Sequence, residues 1–185
     1  GMGDTLKEFG QRVLKARAAL EEHTARQATL EARHSALQAS IPELEAAVKK
    51  AEGVKVRALD AFVVDALDEV SLTRARAEEE QVKRRLLETI ELIDATGRAK
   101  ELGREELPKV QAELGNRERD LAGFKRDEIV EKIRGNGVGD LVRRAWVLQL
   151  DAGGGSWDGF LRGIFPNPST GEIEELRQEM SAPTK

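Results

Sequence analysis

Three polar residues, His23, Gln27 and His34, interrupt an otherwise apolar helical stripe in the first part of the chain. Imidazoles bind metals and titrate near neutrality, so the two histidines raise a metal site and a pH-sensitive element as the first chemical possibilities. The spacing argues against metal. The histidines lie eleven residues apart on one helix, the chain has no Cys, and the seam neighbours expected opposite them, near Arg117 and Arg104, would repel a cation. Polar residues in an apolar seam cost stability and commonly set register or partner number. Register is therefore the role assigned to His23, Gln27 and His34, with pH switching as the alternative and no metal ligands assigned.

Other candidate chemistry is sparse. "GNGVGD" (135–140) could present backbone N–H groups to an anion, but it follows a helix and lacks the Lys and Ser/Thr of a nucleotide loop. It reads as a helix stop, a hinge and a new cap. Asp151 and Asp158 stand in Gly-rich surroundings, where turn and capping roles account for them. With no Cys, no Tyr and no histidine placed for general acid–base work, no catalytic residue and no cofactor are assigned, and an enzyme is not expected.

The elements that carry these residues follow from composition and period. Charged residues make up 35% of the 185 positions and aromatics 4%, the balance of long helices that bury one seam and leave the rest wet. With 30 basic and 34 acidic side chains the net charge is only -4, which favours neither nucleic acid nor an anionic membrane. Stepping by threes and fours from Leu6 reaches Phe9, Val13, Ala16, Leu20, His23, Gln27, Leu30, His34, Leu37, Ile41, Leu44, Val48 and Ala51. That is a heptad seam. It is expected to slip near Gly53 and resume at Val56, Leu59, Val63, Ala66 and Val70. A second seam runs through Leu72, Ala75, Val82, Leu86, Ile93, Leu107, Val110, Leu114, Leu121 and Phe124, and is weaker between Thr96 and Gly103.

The fold class expected is all-α: a long antiparallel coiled-coil hairpin over 3–134 with arms 5–67 and 72–134, a turn near 68–71, and a small helical C-terminal segment over 135–182. In that register facing numbers total about 139, which sets Pro42 opposite Gly97 as a joint where both arms bend. The alternative takes Ser40–Pro42 and Thr96–Gly97 as corners of a three-helix bundle.

After Arg134, Gly and aromatic residues concentrate. A helix is expected over "DLVRRAWVLQLD", another after Ser156, and a last one capped by Ser169 or Thr170. Trp146, Trp157, Phe160 and Phe165 are the candidate contact residues. "FPNPSTGEI" resembles the opening of the C-terminal sorting domain of proteins exported by the Bacteroidetes-type secretion system. That resemblance implies a β-sandwich, whereas "EELRQEM" after it reads as helix, so the prolines are taken as a turn into a capped helix. Long Ala/Glu/Arg-rich hairpins also resemble, in composition, accessory proteins of bacteria and phages, including scaffolding and chaperone-like ones.

The function expected is non-enzymatic interaction or assembly, scaffold- or adaptor-like, with self-association through the seams, a homo-oligomer, an unknown protein partner and a cytoplasmic location. The alternatives are a peripheral membrane or lipid-contacting protein using residues 141–165, and a nucleic-acid-binding rod. The basic residues of the arms are interleaved with Glu78–Glu80 and Glu105–Glu106, which leaves no basic stripe.

Overall fold

The computed structural model describes residues 5–181. Among them are five helices and no strand: α1 (Leu6–Val63), α2 (Glu69–Gly135), α3 (Val138–Asp151), α4 (Trp157–Ile164) and α5 (Thr170–Ser181). The chain is all-α, and its two long helices pack against each other as an antiparallel hairpin.

Helix α1 starts on a capping box. The Glu8 N–H donates to Thr5 Oγ1 at 3.3 Å, and the Thr5 N–H donates to the Glu8 carboxylate at 3.2 Å. The helix then runs unbroken through Pro42. Ser40 does not cap a new helix; its hydroxyl donates to the Leu37 carbonyl at 2.6 Å. Proline removes one backbone donor, but half-buried Leu37, Ile41 and Leu44 hold this stretch to the seam on both sides of it. Helix α2 likewise continues through Gly97, Gly103 and Pro108. The three-helix alternative is therefore excluded.

Every seam position from Phe9 to Ala51 is buried or half-buried. The slip expected at Gly53 does not occur. The seam continues in phase through Lys55 and Ala58, while Val56, Val63 and Val70 are exposed. Lys55 looks like a break in the apolar run, but it meets a matching polar residue, Glu79, across the seam at 2.7 Å. On α2 the alternation is also unbroken, through Leu72, Ala75, Glu79, Val82, Leu86, Thr89, Ile93, Thr96, Lys100, Gly103, Leu107, Val110, Leu114, Arg117, Leu121 and Phe124.

The turn comes earlier than expected. Helix α1 ends in a Schellman motif: Asp65 takes a left-handed φ of 61°, its N–H donates to the Phe62 carbonyl at 3.0 Å, and the Ala66 N–H donates to the Ala61 carbonyl at 2.8 Å. Asp68 then caps α2, accepting the Ser71 N–H at 2.7 Å. The connection thus occupies 64–68 instead of 68–71.

Moving the turn moves the register. Phe9 packs on Phe124 with ring centroids 4.9 Å apart, Arg17 pairs with Glu118 at 3.7 Å, Glu31 with Lys100 at 2.5 Å and Lys55 with Glu79 at 2.7 Å. The paired numbers total 133, 135, 131 and 134, not 139. Gly97 consequently lies against His34, whose Nε2 stands 3.6 Å from where a Gly97 Cβ would be. Pro42 and Gly97 do not share a level, so the paired joint assigned to them is corrected.

Packing divides the chain into a hairpin unit ending at Phe124 and a second unit beginning at Lys125, ahead of the change in composition at 134–135. Among the described residues, all of the buried ones belong to the first unit. In the second, three polar side chains start the helices: Asn136 Oδ1 accepts the Val138 N–H, Ser156 Oγ the Gly159 N–H and Ser169 Oγ the Glu172 N–H, each within 3.1 Å.

Candidate functional site

Two of the three polar seam residues of α1, Gln27 and His34, face the stretch of α2 that is poorest in large apolar side chains. Gln27 Nε2 donates to the Lys100 backbone carbonyl at 3.0 Å. Gly103 makes room for it, since any Cβ there would lie far inside contact distance of the Gln27 amide. His34 takes the space over Gly97. Thr96, buried beside it in sequence, donates its hydroxyl to the Leu92 carbonyl of its own helix at 2.5 Å. Lys100 carries its ammonium outward to Glu31. His23 is only 5% exposed, and neither ring nitrogen has a hydrogen-bond partner in the protein. These groups bring together donors, acceptors and small residues that fit at one alignment of the arms.

A second polar level lies nearer the turn. Glu79 is buried between Lys55 at 2.7 Å and Lys83 at 2.8 Å, and Lys83 also reaches Glu52 at 3.4 Å. Hydrogen bonds from the two lysines hold the Glu79 carboxyl below its ordinary range, and the Glu79 carboxylate in turn raises Lys83. In sequence Glu79 stands within the acidic run Glu78–Glu80, with nothing local to mark it as buried. The signal that would have found it, together with Thr96, Lys100 and Gly103, is the 3,4 spacing continued through polar residues from Leu72 and Ala75. Among the described residues no three or more His, Asp or Glu gather where a metal ion could sit.

The second unit brings together three of its four candidate residues. The Trp146 ring meets Trp157 edge-on at 5.5 Å and Phe160 at 5.4 Å. Phe165 instead lines a cleft of about 470 Å³ with Ile133, Val138, Val142, Arg143 and Trp157. A second hollow of about 450 Å³ is walled by Gln149, Ser156, Phe160, Ile164 and three glycines. Neither holds a histidine or a carboxylate, so neither offers an acid–base pair.

No family model, no curated protein and no solved structure matches the chain. Function therefore has to be argued from the surface itself. Its outstanding feature is apolar exposure: Leu14 and Val56 on α1, Leu87, Ile90, Leu92 and Leu102 on α2, and Phe62, Val63, Val64 and Val70 around the turn. The second unit adds Ile129, Leu141, Leu148, Phe165 and others. Among the described residues no helix is long and apolar enough to cross a membrane.

Proposed function

We propose that the chain is a non-enzymatic assembly protein of the cytoplasm, scaffold- or adaptor-like, whose helices associate with those of further copies along the seams. One observation carries this reading: among the described residues five hydrophobic side chains are buried while twenty-four large ones are exposed. Two helices have only one shared seam to bury, so side chains on the flanks, such as Leu87, Ile90, Leu92 and Leu102, stay in water until another helix covers them. Fully covering a large apolar side chain gains about 1.5–3 kcal/mol, so several per copy, repeated by symmetry, are needed to exceed the association cost of about 4–15 kcal/mol.

The test is sedimentation equilibrium across a wide concentration range. The expected result is a mass that is a multiple of the 20.4 kDa chain and falls on dilution, with Ile90→Glu and Leu92→Glu shifting the balance toward single chains. A mass of one chain at every concentration would sink the proposal of self-association.

A further inference from the structure

We infer that the turn end of the hairpin is a docking surface for a polypeptide segment of another protein that presents apolar side chains bordered by Lys or Arg. The inference rests on reading the hairpin as an interaction protein and needs no self-association.

The core beneath the turn is complete without the residues that project from it. Ala58, Leu72 and Ala75 are buried there, with Val54, Leu59 and Leu67 packed against them. The turn is closed by backbone hydrogen bonds to Phe62 and Ala61 and by the Asp68 cap. None of this uses the side chains of Val63, Val64 or Val70. Val63 and Val64 are 78% and 72% exposed, Phe62 before them is 38% exposed, and Val70, at the start of α2, is exposed as well. Polar residues would serve the turn as well, and β-branched residues are not what turns favour. Apolar side chains grouped in water without a folding role mark a contact surface.

Charge narrows the occupant. From Ala58 to Thr73 the chain carries Asp60, Asp65, Asp68 and Glu69 and no Lys or Arg, and with Arg57 and Arg74 at its two ends the stretch is still net acidic. All four carboxylates are exposed. Such a rim repels nucleic acid, anionic lipid and the same turn of a second copy. What it attracts is positive charge, and what the valines and Phe62 need is apolar cover. A segment with both satisfies the surface, with the charges aiding encounter and the apolar contacts supplying most of the affinity.

The experiment uses the full chain and three labelled synthetic peptides of equal length: an amphipathic helix of Leu and Lys, the same design with Glu for Lys, and a Ser/Lys peptide of equal charge. Binding is followed by fluorescence anisotropy. The Leu/Lys peptide is expected to bind at least about tenfold more tightly than the other two, and Val63→Ser/Val64→Ser to weaken it by about tenfold. Asp60→Asn/Asp65→Asn should weaken it and flatten its salt dependence; Asn tolerates the left-handed conformation at 65, and circular dichroism verifies that the helices persist. Equal binding of the Leu/Lys peptide by wild type and Val63→Ser/Val64→Ser overturns the inference, as does equal binding of the Ser/Lys peptide. Binding to neutral phosphatidylcholine vesicles that is lost in the same variant, without peptide binding, overturns it in favour of a lipid surface. A chain that sediments as a single copy yet binds the Leu/Lys peptide removes self-association and leaves this inference standing. An oligomer that ignores the peptide does the reverse.

Discussion

Gly103 and Gly97 lie on the same helix, face the same arm and require glycine to different degrees. At Gly97 an added methyl group meets His34 at 3.6 Å, an ordinary contact. Gly97→Ala should therefore gain the helix propensity of alanine, about 1 kcal/mol. At Gly103 the same methyl group displaces the Gln27 amide from its hydrogen bond to the Lys100 carbonyl. Losing a partly buried hydrogen bond costs about 1–3 kcal/mol, which cancels or exceeds the propensity gain. Unfolding free energies from urea titration should accordingly rank Gly97→Ala above wild type and Gly103→Ala below Gly97→Ala by about 1–3 kcal/mol. His23 makes the opposite case. Its ring is buried with both nitrogens unpartnered, so His23→Leu should raise stability by about 1–2 kcal/mol in the same assay. If His23→Leu instead destabilises, the imidazole has a structural role that these contacts do not reveal.

At the scale of the element, the turn is the place where local chemistry is not at its optimum. A Schellman motif favours Gly in its left-handed position, and here Asp65 occupies it. Left-handed φ costs an L-residue about 1–2 kcal/mol, part of which glycine returns through the entropy of the unfolded chain. Asp65→Gly should therefore stabilise the hairpin by about 0.5–1 kcal/mol, read as a higher denaturation midpoint with unchanged helicity. The long helices show the converse, in which tertiary packing prevails over local preference. Pro42 and Pro108 both stand inside continuous helix, because seam residues on either side are held by the facing arm. A helix-start signature such as Ser40-Ile41-Pro42-Glu43 is decisive only where nothing else holds the chain.

Across the whole molecule, the perturbed ionisable groups give stability a definite dependence on pH. The carboxyls of Glu31, Asp68 and Glu79 are all held below their ordinary values, mainly by hydrogen bonds from Lys100, from Ser71, and from Lys55 and Lys83 respectively. In acid the unfolded chain takes up these protons first, so their contribution is present above the ordinary values of 4.5 and 3.8 and is lost as pH falls through the depressed folded values. Lys83 is raised above 10.5, so its contribution is present below that pH and is lost as pH rises through the folded value. The melting temperature should be level through neutrality, fall below about pH 4.5 and fall again in strong alkali. Lys55→Met, which removes one partner of Glu79, should make the acid limb shallower. An unchanged melting temperature from neutrality to well below these values would contradict the paired carboxylates.

What the sequence determined by itself is what repeats locally. The 3,4 alternation from Phe9 to Ala51 marks the buried face of α1 residue by residue, because helical period and burial are both set within a few turns. The helical C-terminal segment and the caps at Ser156 and Ser169 were legible for the same reason. What only the tertiary structure decided is which residue meets which. A difference of a few residues in the turn changes the sum of every facing pair by twice that amount, and no single helix records it. The pairing of Lys55 with Glu79, of Gln27 with Gly103 and of His34 with Gly97 therefore lay outside any one segment. Each of these residues alone looks like a flaw in its seam, and they become consistent with burial only when the two arms are brought together.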